Sequence, residues 1–106
     1  MSFEELQQSI ARDAAPPAGL GLALQGLWHD ARGDWAGAHG AVQQDEQDRD
    51  CAWVHAYLHR KEGDVGNAGY WYARAGRKKV AAGTTLEAEW TEIARALAGK
   101  AAEVAG

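Results

Sequence analysis

His29-Asp30-Ala31-Arg32-Gly33-Asp34-Trp35-Ala36-Gly37-Ala38 and His59-Arg60-Lys61-Glu62-Gly63-Asp64-Val65-Gly66-Asn67-Ala68 are two copies of one pattern, thirty residues apart. His29 aligns with His59, Gly33-Asp34 with Gly63-Asp64, and Ala38 with Ala68. Glycine ends a helix well because it enters the left-handed region at little cost. The aspartate after it can cap the first free amides of the next helix. Each copy therefore reads as helix, tight turn, helix. A single hairpin of this kind cannot bury its own apolar face, so two must stack.

Working outward, the helix entering the first turn runs over 18–32, with Leu20, Leu24, Leu27 and Ala31 on one face. Pro16-Pro17 suits its first turn, where a missing N–H is no loss. The helix leaving the turn covers 35–46. After the polar stretch from Gln44 to Asp50, the second hairpin comprises helices over 50–62 and 65–75. Trp53/Tyr57 and Val54/Leu58 are i, i+4 pairs in the first of these, and Gly76 caps the second. Ser2 and Glu5 form a capping box for a helix over 2–13, with Phe3, Leu6 and Ile10 at helical spacing. Thr84 or Thr85 caps a last helix over 85–98, whose apolar stripe is Leu86, Trp90, Ile93 and Leu97. The segment from Gly99 to Gly106 is expected to fray. The expectation is one all-α domain over 1–106, with antiparallel hairpins at 18–46 and 50–76 and a capping helix at 85–98. It contains five to six helices.

The composition narrows the functional classes. A net charge of −4 and an acidic run from Gln43 to Asp50 disfavour a nucleic-acid surface. The three basic residues Arg77-Lys78-Lys79 sit past a helix C-terminus, where cations are favoured, and are too few for a membrane surface. The stretch from Ala18 to Trp28 is too short to span a bilayer, and no secretory leader opens the chain. A single cysteine, Cys51, excludes an intrachain disulfide and any Cys-pair zinc site. A cytoplasmic location is expected, with neither nucleic acid nor membrane as a partner.

The hairpins resemble tetratricopeptide repeats over roughly residues 20–76. Gly63-Asp64, Ala68, Tyr72 and Ala75 fit that family's spacing of small and aromatic residues. So do Gly33-Asp34, Ala38 and Val42, with Gly26 and Ala56 where helices must approach closely. The period is about one helical turn shorter, Leu22 and Ala52 stand where the family has tryptophan, and no closing proline follows. The segments from Ala52 to Asp64 and from Asn67 to Gly76 are also similar to a group of short bacterial proteins, a likeness that carries no activity. The tetratricopeptide resemblance implies a concave groove lined by the first helix of each hairpin. Its positions here are Ala23, Leu27, Asp30, Trp53, Tyr57, Arg60 and Lys61.

That groove suggests a non-enzymatic protein- or peptide-interaction module. Asp30, Trp53, Tyr57, Arg60 and Lys61 are its candidate binding residues, with Arg or Lys taking a carboxylate and the aromatics taking side chains. The partner is a peptide, a protein or a second copy of the chain. The competing expectation is that helix one or helix six covers the groove, burying Trp53 and Tyr57 and pairing Arg60 with Asp30 or a nearby Glu. Asn67, Tyr70 and Arg74 share the outer face of the fifth helix, as a partner or dimer surface or as a solvated face.

No nucleophile motif accompanies the histidines, so no catalytic residue is assigned and no cofactor is expected. The alternative function is a small metal-binding protein or enzyme using His55 and His59. These are four residues apart on one helix, a spacing at which two imidazoles can share a metal. A third ligand would have to come from His29 or His39 in the neighbouring hairpin. Ordinary hydrogen bonding of the pair is the simpler account of the same spacing.

Overall fold

The structure, a computed structural model, describes residues 1–105 and the side chains of residues 1–100. These residues form six helices and no strand: α1 (Phe3–Arg12), α2 (Leu22–Ala31), α3 (Trp35–Gln43), α4 (Arg49–Lys61), α5 (Val65–Ala75) and α6 (Leu86–Ala105). The all-α class is as expected. None of the helices is long and apolar enough to cross a membrane.

The two turns that organise the chain are built alike. Gly33 and Gly63 have φ of 77° and 87°. Asp34 N donates to His29 O at 3.0 Å and Asp64 N to His59 O at 2.9 Å. Each aspartate then caps its helix, Asp34 accepting from Gly37 N at 2.8 Å and Asp64 from Asn67 N at 3.2 Å. The sequence repeat is thus a repeat of hydrogen bonds. Ala38 and Ala68 follow at matching positions, both buried. Gly26 lets α2 lie close to its neighbours, since a Cβ there would fall 2.7 Å from the Val42 Cγ1 and 3.2 Å from the Val54 Cγ1. A β-branched side chain at full burial has little room to give way.

Three boundaries differ from expectation. The second helix begins at Leu22 rather than 18, because Gly19 takes φ 81° and Leu20 N bonds back to Pro17 O, so Pro17 starts a turn. α3 stops at Gln43 rather than 46, since Gln44 to Gln47 turn away. Asp48 then caps α4 through the Cys51 amide at 2.9 Å. The last helix continues to Ala105 rather than ending at 98. Packing carries it past the glycine: Ala94 and Ala98 are fully buried, and Lys100 pairs with Asp50 at 2.8 Å. Gly106 lies outside the described residues.

α4 is the centre of the molecule. It packs against α2, α3, α5 and α6, and every residue from Cys51 to His59 is buried. α1 and α6 close the stack, α6 lying against α1, α2 and α4. Indole N–H groups tie the layers: Trp28 Nε1 donates to Ser9 Oγ at 3.0 Å, Trp35 Nε1 to Leu58 O at 2.9 Å, and Trp90 Nε1 to Leu27 O at 3.1 Å. Trp28 is buried and Trp35 and Trp90 are partly buried, and each keeps its polar atom satisfied.

Candidate metal centre

α4 presents His55 and His59 one turn apart on the side that meets α3 and α5. α3 brings His39 to the same place, and the imidazoles of the three residues gather. His55 Nε2 lies 3.0 Å from His39 Nε2. Ring centroids are 4.7 Å apart for His39 and His55, 5.3 Å for His39 and His59, and 5.0 Å for His55 and His59. One ring nitrogen from each of the three lies within 4.8 Å of the others. Two nitrogens on one tetrahedral metal, each about 2.0–2.1 Å from it, stand roughly 3.3 Å apart. The 3.0 Å between the His39 and His55 Nε2 atoms is close to that spacing.

The walls of this cluster are aromatic. Trp35 stacks on His39 at a centroid distance of 4.9 Å and an interplanar angle of 10°. Trp71 stacks on His55 at 3.9 Å and 16°. These faces hold the two imidazoles in place, with their ring planes 79° apart. His59 Nδ1 lies 2.7 Å from the Glu62 carboxylate and donates a hydrogen bond to it, which fixes the ring and turns Nε2 away from Glu62. His55 Nδ1 is buried without a hydrogen-bond partner. Such orphans are rare in a packed interior and ask for an explanation.

The cluster disfavours positive charge. Burial first, then the neighbouring His39 and His59, push the His55 pKa down to about 4. Burial and then His59 also lower that of His39. These imidazoles are neutral near pH 7, the form in which they donate to a metal. Cys51 is no competitor: burial pushes its thiol up to about 12, so the thiolate that binds metals or attacks substrates is not formed.

The other candidate residues lie elsewhere. The face of α4 expected to line an open groove is covered by α6. Trp53 and Tyr57 are 5% and 2% exposed, with Arg77 over the Trp53 ring at 3.7 Å. Asp30 is buried and accepts from Tyr57 OH at 2.8 Å and Lys61 Nζ at 2.8 Å. Arg60 pairs with Glu89 of α6 at 2.9 Å, not with Asp30, and donates also to Thr84 O. The second oxygen of Glu89 accepts a short hydrogen bond from Tyr72 OH. Four of the five groove residues therefore join two polar clusters against α6, while Trp53 is buried under Arg77. Around Asp30, Tyr57 and Lys61 a hollow of about 400 Å³ remains, walled by Leu86 and Trp90.

Of the two histidines that might have joined the pair, His39 does and His29 does not. His29 is partly exposed, with Nδ1 3.9 Å from Asp34. The repeat thus places His29 and His59 alike on the chain but in different surroundings. Glu89 was readable as an anomaly, since it lies three residues after Leu86 and four before Ile93, inside the apolar stripe of α6. The flanking roles of Trp35 and Trp71 carry no local signal. Comparison with protein-family models, curated proteins and solved structures finds no match. A functional reading of the chain therefore rests on the chemistry of its own side chains.

Proposed function

We propose that this protein binds a transition-metal ion through His39, His55 and His59. The observation that carries the reading is the convergence of three imidazoles from two helices, with Glu62 orienting one and indoles stacked on the other two. Imidazole donors favour Zn²⁺, Co²⁺, Ni²⁺ or Cu²⁺ over Mg²⁺ or Ca²⁺. The helical hairpins, read as tetratricopeptide-like, serve as a rigid scaffold, and a reducing cytoplasm suits the lone buried Cys51. Thermal melting with Zn²⁺ tests the proposal. At a free concentration one hundred times Kd, linkage adds about 2.7 kcal/mol, or roughly 10–20 °C in Tm for a domain of this size. His39→Ala and His55→Ala should each abolish the shift, while His29→Ala should keep it. A shift that survives loss of His39, or none in the parent protein, rejects this site.

A second reading, an interaction surface, is favoured by one observation. Val65 and Tyr70 on α5 are large hydrophobic residues 68% and 52% exposed, and Arg74 holds the Tyr70 hydroxyl at 2.8 Å. A pinned, exposed Tyr–Arg pair resembles an interface anchor, and the partner we propose is a second copy of the chain. Sedimentation over a wide concentration range should then show a monomer–dimer equilibrium that Tyr70→Ala weakens about tenfold or more, a loss of at least 1.4 kcal/mol. A parent protein monomeric at all concentrations would exclude self-association.

A further inference from the structure

The metal reading leaves one coordination position to account for. Among the described residues, the group that can share a metal around His39, His55 and His59 contains no fourth acidic or thiol donor. Glu62 is engaged with His59 Nδ1, on the far side of that ring from Nε2. Asp64 is engaged in capping α5 through the Asn67 amide. Trp35 and Trp71 fill the space against His39 and His55 and offer no lone pair. His39 is only half-buried, so the cluster opens to solvent on the α3 side. A structural zinc site is closed by four protein ligands, whereas three imidazoles leave a position for an exogenous donor.

Resting on the metal-binding reading, we propose that the fourth position of this centre is exchangeable and takes water or a small monodentate anion. The ligand class follows from the setting. His39 is the partly exposed member of a cluster whose other two histidines are buried, which suits a donor of a few atoms. A metal held by three neutral imidazoles keeps its full positive charge, which attracts anions and acidifies a bound water. The centre is therefore a place where a ligand can come and go.

Cobalt(II) and azide test this on the intact chain. Four-coordinate cobalt with three imidazoles gives intense visible bands that respond to a change in the fourth ligand. Adding Co²⁺ should produce such bands, and titrating azide should shift them along a single saturable curve. The Glu62→Gln variant loses the group that orients His59 and should bind cobalt more weakly, but once saturated with Co²⁺ it should still give a saturable azide shift, because Glu62 does not occupy the fourth position. Bands that ignore azide in the parent protein overturn the proposal, and an azide response appearing only in Glu62→Gln would identify Glu62 as the closing ligand. If no cobalt bands form at all, the metal-binding reading itself fails, which is a different result.

Discussion

Arg60→Ala is expected to destabilise the fold by about 3–5 kcal/mol, the usual cost of leaving one partner of a buried ion pair behind. The stranded partner is Glu89, whose side chain is fully buried between Arg60 and the Tyr72 hydroxyl. Without the guanidinium, Glu89 must either stay charged in a poorly solvating interior or take up a proton, and both disfavour the folded state. Burial first, and then the hydrogen bond to Glu89, hold the Tyr72 pKa well above the usual phenol range, so Tyr72 stays a neutral donor and offers no positive charge in place of the guanidinium. Urea unfolding should show a lower midpoint at an unchanged m-value. The double variant Arg60→Leu/Glu89→Leu should recover most of the loss, because removing both charges also removes the desolvation cost. A single-variant loss below about 1 kcal/mol would mean that Arg60 faces solvent, the position an open groove requires.

Acid should weaken the protein through its histidine cluster well before its carboxylates protonate. An unfolded histidine titrates near 6.5, while His55 in the folded protein is held down to about 4 by burial and by His39 and His59. Between those values the unfolded chain binds a proton that the native state refuses, so stability rises with pH. The contribution is fully present above about pH 6.5 and lost progressively toward pH 4. At about 1.4 kcal/mol per pH unit, the loss from His55 amounts to about 3 kcal/mol. Urea midpoints measured from pH 7.5 to 4 should fall along this window, and His55→Gln should flatten the profile there. A parent profile that is level down to pH 4.5 would contradict it. Because His39 and His55 are already neutral at pH 7, metal binding at that pH should displace no protons from these two imidazoles.

The site was half visible before the fold was known. His55 and His59 share a helix, and their spacing announces a pair. His39 is sixteen residues from His55, and nothing in the spacing between them selects it over His29. Helical periodicity likewise marks Trp53, Tyr57 and the Leu86–Ile93 stripe as apolar faces without saying which covers which. Glu89 on α6 and Arg60 on α4 could each be seen as a charge inside an apolar arc, and their pairing needs the two helices docked.

What the sequence by itself determined is local. The Gly33-Asp34 and Gly63-Asp64 turns, the Ser2 capping box and the Gly76 cap depend on backbone freedom and on hydrogen bonds within a few residues, which residue identity largely settles. The six-helix, all-α character follows from those stops and from periodicity. Only the tertiary structure decided that α6 lies across α4, that Trp53 and Tyr57 are core, and that His39 rather than His29 completes the cluster. Those outcomes depend on how whole apolar faces pack together. Hydrophobic attraction is non-directional, and close packing selects among the possible partners only once the helices meet.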